Sequence, residues 1–358
     1  MKRKLIRFAA AAVAVCLCGS LVACGGGSAQ KAKSTGETLT VINYSEYMDP
    51  DVIQMFEDET GIEVKYEEAL TPEEMYTKYK SGAIQYDLVC SSDYMIKRLI
   101  EEGEAQKINI DGMEYKDNIG DKYWEFSKAF DPENEYSVPY FWGTLGILYD
   151  KTKVKAPVDS WSVLFDGSYA GDIIMQNSMR DTYMVALKYL GYSVNTTDQN
   201  QINEAQQLLL KQKSDVQAYL VDEARDEVVA GNATMAVVYS GEAYLAKEYN
   251  ENLEYVIPKE GSNVWLDSWC VSKNCKNTEA AEKFLNFLCR EDVAEKNFEY
   301  IYFSTPNEAV IDSMSEEDRN NEAMVPSEDA TKNCEVCTMI DPETTSYMNN
   351  LWKELKAN

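Results

Sequence analysis

Not one histidine occurs in the 358 residues of this chain. That excludes Ser-His and Cys-His nucleophilic machinery and every imidazole-ligated metal site. Basic residues are scarce too: 34 Lys and Arg stand against 61 Asp and Glu, a formal charge of −27. Such a balance disfavours nucleic acid and anionic lipid surfaces as partners and favours attraction of cations, although solubility alone would account for it. The chain has no glycine-rich phosphate loop, internal repeat or basic patch. Beyond the N-terminal leader no stretch is long and apolar enough to span a bilayer.

What is present begins with that leader. Met1-Lys-Arg-Lys-Leu-Ile-Arg7 is positively charged, an Ala- and Val-rich run follows, and Leu21-Val-Ala-Cys24 ends it. This is the layout of a secretory signal. Ordinary cleavage near Ala23 fits it. The ending also resembles the lipobox of bacterial lipoproteins, in which the cysteine is lipidated and becomes the N-terminus. The lipobox is the reading taken, because a Gly-, Ser-, Ala- and Lys-rich tether runs on to Gly36. Residues 1–23 are then a signal peptide and 24–36 a lipidated N-terminus, at Cys24, with a flexible linker. Cleavage removes Lys2, Arg3, Lys4 and Arg7 but no acid, so the mature chain is more acidic still. It is expected outside the cytoplasm, held to the membrane through its N-terminal lipid only.

The remaining length suits two lobes rather than one small core. Hydrophobic content of 45% and 24 tyrosines argue against global disorder. Six cysteines remain after the leader: Cys90, Cys270, Cys275, Cys289, Cys334 and Cys337. The C-x-x-C at Cys334 and Cys337 makes a four-thiolate zinc site conceivable. A disulfide or free buried thiols are preferred, and no metal or cofactor is expected.

The first half alternates strand and helix. Leu39–Asn43, Ile62–Tyr66 and Tyr86–Cys90 read as strands. Asp49-Pro50, Thr71-Pro-Glu-Glu74 and Ser92 read as helix starts, and Gly61, Gly82 and Gly103 as stops. This order implies a parallel sheet with helices on its faces, and ligands bind beyond the carboxyl ends of such strands. Two polar aromatic clusters fall there: Tyr44-Ser-Glu-Tyr47 and Ser91-Ser-Asp-Tyr94. Either alone reads as a capped helix start with exposed tyrosines. Their occurrence at two strand ends of one lobe favours a site. Gly171–Met175, Met235–Tyr239 and Asn252–Pro258 read as further strands, with helices over Arg180–Leu190 and Thr278–Arg290.

Val264-Trp-Leu-Asp-Ser-Trp-Cys-Val271 also reads as a strand. Its alternation sets Asp267 between Trp265 and Trp269 on one face. A carboxylate among large aromatics loses hydration and needs a partner, yet no Lys or Arg lies in the stretch.

Ile42-Asn-Tyr-Ser-Glu-Tyr47, Tyr86-Asp-Leu-Val, Tyr136-Ser-Val-Pro-Tyr-Phe-Trp-Gly143, Trp265-Leu-Asp-Ser268 and Ser304-Thr-Pro-Asn307 stand in that order along the chain. Together they resemble the spermidine/putrescine-binding proteins of bacterial ABC importers, over nearly all of the mature chain. The resemblance implies a two-lobe α/β periplasmic-binding-protein fold of type II topology, with ligand in the cleft between the lobes. Lobe 1 is then 37–145 plus about 269–315, and lobe 2 is 146–268 plus about 316–358.

The resemblance also implies site residues. Tyr44 stands in place of a tryptophan, with Ser45 and Tyr47 beside it and Glu46 at an acidic position. Ser92 and Tyr94 match a site serine and tyrosine. Asp181 replaces an amine-gripping glutamate, and Tyr239 replaces a tryptophan. Glu242 lies near an acidic position of the putrescine binders. Trp265 and Asp267 match directly, and Phe303 replaces a tyrosine. Ser178 falls where a second amine-binding aspartate is expected, and a glutamine of the family's site is replaced near Cys337. These departures lean towards a shorter diamine such as putrescine, or agmatine.

The expected function is capture of a polyamine for an ABC permease by a monomeric, non-enzymatic protein. Aromatics would wall the methylene chain, and carboxylates would meet the ammonium groups. The alternatives are a binder of another small cation or a sugar and, more distantly, a secreted glycosidase using two carboxylates.

Overall fold

Eleven strands build the sheet framework among the described residues of the computed structural model, 31–221 and 223–357. The leader, the lipidation candidate Cys24 and the first half of the linker lie outside the described residues. From Ala32 onward the chain is one compact unit. No helix among the described residues is long and apolar enough to cross a membrane.

The alternating first half forms as its caps dictate. β1 (Thr38–Tyr44) pairs in parallel with β2 (Glu63–Ala69) and with β3 (Leu88–Ser91). The crossover helix Pro50–Thr60 starts where the Asp49 side chain accepts from Asp51 N, with Pro50 at its first turn. It stops at Gly61, whose φ of 73° is a left-handed conformation that glycine takes without penalty. Helix Pro72–Ser81 starts on Thr71, which accepts from Glu74 N. Helix Asp93–Glu101 leaves the end of β3.

The sheet is not purely parallel as the alternation alone implies. After β4 (Ala105–Gln106) the chain forms β5 (Ser137–Asp150), a 14-residue strand buried throughout. The sheet continues with β6 (Ile173–Gln176), β7 (Val216–Leu220), β8 (Met235–Tyr239), β9 (Leu253–Val256), β10 (Asn263–Ser272) and β11 (Glu335–Val336). Strand order is β2-β1-β3-β10-β5-β8-β6-β7. Two parallel triplets, β2-β1-β3 and β8-β6-β7, are thus joined through β10 and β5, and these two run antiparallel to the strands they pair with in this row. Burial on both faces explains the near-continuous apolar sequence of β5.

β5 serves both lobes. Val138, Phe141 and Trp142 pack in the first core, and Leu145, Ile147 and Tyr149 in the second. Along its second half, Leu148 turns to the opposite face, against Ile174, Ala236 and Val238. That is the period of two expected of a strand covered on both sides. β10 pairs along its length with β3 and β5, and Val264 and Leu266 pack in the first core. The boundary expected at residue 268 falls inside this strand. The C-terminal helix Pro342–Ala357 buries Met348 and Leu355 against Tyr183, Ile202 and Leu209.

Candidate functional site

β10 places the aspartate. Trp265 pairs with Gly143 and Asp267 with Phe141. The register then shifts, so that Ser268 faces Pro139 and Tyr140 is the extra residue of a bulge. A proline has no N–H for the ladder and is tolerated at such a bulge. Asp267 is 8% exposed, and its Oδ2 accepts from the Tyr47 hydroxyl at 2.6 Å. Burial pushes its pKa up to about 6, and the Tyr47 hydrogen bond opposes the rise. Trp269 continues the same face into the core, against Tyr140 and Phe284.

An aromatic wall extends from the Tyr47 ring, whose hydroxyl bonds this carboxylate. Tyr47 lies edge-on to Tyr44 at 5.6 Å and to Phe303 at 5.9 Å, and Phe303 lies edge-on to Trp265 at 5.2 Å. Such contacts contribute about 0.5–1.5 kcal/mol each beyond their burial. Two glycines make room for the wall. A Cβ on Gly143 would stand 2.5 Å from the Trp265 ring, and one on Gly241 would enter the Phe303 ring. The Tyr44 hydroxyl bonds Ser91 Oγ at 3.2 Å and accepts from Ser92 N.

The second lobe contributes a matching pair. Asp181 lies in the first turn of helix Met179–Tyr189, is 6% exposed, and accepts from the Tyr239 hydroxyl at 2.8 Å. Its other oxygen accepts from Asn263 Nδ2 on β10 at 3.4 Å, which ties it to the strand that carries Asp267. Burial raises the Asp181 pKa. Each lobe thus holds a buried carboxylate bonded to a tyrosine hydroxyl. Neither Asp267 nor Asp181 forms an ion pair among the described residues. The Arg180 guanidinium exerts its field on Asp181, but its N–H groups donate to Thr338 O, Val194 O and Asn195 Oδ1.

Other expected residues stand further out. Ser45 and Glu46 are exposed beside Glu68, and Glu46 has a left-handed φ of 55°. A non-glycine residue in that conformation is strained, which is a recurrent feature of ligand-binding turns. Tyr94 is half-buried and gives its hydroxyl to Glu73. Glu242 is engaged by Arg225 at 2.8 Å. Ser92 Oγ is buried without a hydrogen-bond partner among the described residues. One residue that touches an expected site residue was not read from the sequence: Asn263, which carried no signal. The six cysteines Cys90, Cys270, Cys275, Cys289, Cys334 and Cys337 are free thiols.

Residues 51–324 match the family described as bacterial extracellular solute-binding protein. The chain is 35% identical to the spermidine/putrescine-binding periplasmic protein of Escherichia coli K12, over 89% of this chain and 92% of that one. It is 30% identical to the putrescine-binding periplasmic protein SpuD of Pseudomonas aeruginosa, over 98% and 99%. The solved structure of the spermidine/putrescine ABC transporter substrate-binding protein PotD from Streptococcus pneumoniae superimposes with a TM-score of 0.83 at 35% identity, over 90% of this chain and 99% of that one. With that family match over most of its length and these relatives, the chain belongs to the bacterial extracellular solute-binding proteins.

Proposed function

We propose that this protein captures a polyamine such as putrescine, spermidine or agmatine between its lobes and delivers it to the permease of an ABC importer. The observation that carries this reading is the pair of buried carboxylates, Asp267 and Asp181, which meet tyrosine hydroxyls rather than ion-pair partners. A buried charge without a counter-ion costs several kcal/mol. An ammonium group at each end of a methylene chain would neutralise both, and Trp265, Tyr44, Tyr47 and Phe303 would cover the methylenes between. Each cation–π contact adds about 0.5–2 kcal/mol.

The named relatives support a carrier rather than an enzyme. We place the hinge where β5 passes from one core to the other, near Gly143–Leu145, and where the chain returns just before Asn263. Lobes joined in this way close on ligand by a hinge motion. The protein is read as monomeric and tethered through a lipid on Cys24. Mass spectrometry of the membrane fraction would detect that lipid, and its absence from the mature chain would refute the anchor.

A thermal-shift panel of putrescine, cadaverine, spermidine and agmatine tests the cargo. At about 100 times the dissociation constant the true ligand adds about 2.7 kcal/mol of stability. No shift with any of the four, on folded protein, overturns the proposal.

A further inference from the structure

The turn that follows β1 carries Tyr44 and Tyr47, and Glu46 within it is held in the left-handed conformation. A strained residue of this kind persists only where its surroundings over-determine it. Two buried side chains do so here, and both meet one atom, the Tyr47 carbonyl oxygen. Asn43, fully buried near the end of β1, donates to it from Nδ2 at 3.0 Å and accepts from Tyr44 N on Oδ1 at 2.8 Å. Its amide therefore closes the turn from Tyr44 to Tyr47, and only one amide orientation gives each partner what it needs. The Tyr140 hydroxyl donates to the same oxygen at 2.9 Å, which engages both carbonyl lone pairs. Tyr140 is the extra residue of the β5 bulge. Successive residues of a regular strand point to opposite faces, yet Tyr140 and Phe141 both reach the Tyr47 ring, with centroids at 5.7 and 5.6 Å. The bulge has re-aimed Tyr140 onto Tyr47. Burial holds the Tyr140 hydroxyl well above the ordinary tyrosine value, so it stays a donor.

We infer that Asn43 and Tyr140 are positioning residues of the amine site. They act through the Tyr47 carbonyl rather than on the ligand. They hold the Tyr44–Tyr47 turn in one form, and the turn aims the Tyr47 hydroxyl at Asp267 Oδ2. The inference rests on the amine-binding reading and adds to it the means by which the first-lobe carboxylate is oriented before ligand arrives. Orientation fixed in advance spares the ligand the cost of ordering the site. The β5 bulge, opposite Asp267 and Ser268, is then part of the binding machinery rather than an irregularity of the sheet.

Titration calorimetry on the full mature chain tests this with Tyr140→Phe, which keeps the ring and removes only the hydroxyl. Putrescine should bind about 3- to 10-fold more weakly. In a Tyr47→Phe background the same substitution should cost less than about 2-fold, because the hydroxyl that it positions is already gone. Wild-type affinity in Tyr140→Phe, or an equal fold-loss in both backgrounds, overturns the inference, since a general loss of stability would act alike in both. Asn43→Ala, or Asn43→Ser if the first does not fold, should show the same coupling to Tyr47→Phe, and additive losses there overturn the part assigned to Asn43. A second readout needs no ligand. The Tyr47 bond opposes the rise of Asp267, so the carboxyl-carbon NMR titration of Asp267 should move upward in Tyr140→Phe from its wild-type midpoint of about 6, in the direction that Tyr47→Phe moves it. The other titratable groups that face Asp267, namely Tyr44, Cys90 and Asp93, are untouched by the substitution. An unchanged midpoint overturns the inference. Failure of wild-type protein to bind any polyamine would instead defeat the functional reading, and the titration would still decide the roles of Asn43 and Tyr140.

Discussion

The Tyr47 hydroxyl meets Asp267 Oδ2 at 2.6 Å, joining residues 220 positions apart in the chain. The bond lies inside the first lobe, between the end of β1 and the middle of β10, and holds the carboxylate in a fixed orientation. Asp267→Asn should weaken polyamine binding by about 2–5 kcal/mol, as when one partner of a buried charge pair is removed. Tyr47→Phe should cost less, about 1–3 kcal/mol, because the charge remains and only its orienting bond is lost. Titration calorimetry checks both, and unchanged affinity in Asp267→Asn would remove that residue from the site.

Binding should depend on pH with a definite sign. Burial raises Asp267 to about 6 in the ligand-free protein, above the ordinary aspartate value. The unfolded chain thus ionises first, and stability of the ligand-free protein falls as pH rises from about 4 to about 6, by about 3 kcal/mol for this group. The raised value of about 8 at Asp93 extends the loss upward. An ammonium ligand favours the ionised carboxylates, so affinity should increase with pH through the same range and protons should be released on binding. Calorimetry at pH 5, 6, 7 and 8 in buffers of different ionisation enthalpy measures this. Affinity that does not change with pH would contradict it.

Gly143 sets the position of Trp265. A methyl group there would stand 2.5 Å from the indole ring and 2.8 Å from Ser240 Oγ. Gly143→Ala should destabilise the fold by about 1–3 kcal/mol through overpacking. It should also weaken ligand binding and shift the tryptophan emission. Wild-type affinity in this variant would show that the ring is not part of the wall.

Glu242 should contribute little to affinity. Arg225 holds it at 2.8 Å, and both side chains are partly exposed. Glu242→Gln is expected to change putrescine affinity by less than about 1 kcal/mol. A larger loss would return Glu242 to the role of a diamine determinant.

The parts legible in the sequence were those whose signals are local. Asp49-Pro50, Thr71-Pro72, Gly61 and Gly82 mark helix ends by capping chemistry, and the strands between them follow. Asp267 was legible because a carboxylate between two tryptophans has no partner nearby in sequence. β5 was not, because Pro139, Gly143 and Gly146 interrupt its apolar run. Each has a tertiary reason: Pro139 lies at the bulge, Gly143 under Trp265 and Gly146 against Tyr255. The antiparallel joining of the lobes through β5 and β10 followed from long-range pairing that periodicity does not encode.

The most direct measurement compares putrescine with butane-1,4-diol and butylamine by calorimetry on wild-type protein. The three share a four-carbon chain and carry two, no and one ammonium groups. If Asp267 and Asp181 each hold an ammonium, putrescine binds strongly, butylamine weakly and the diol not detectably. Comparable binding of the diol would contradict recognition by buried carboxylates.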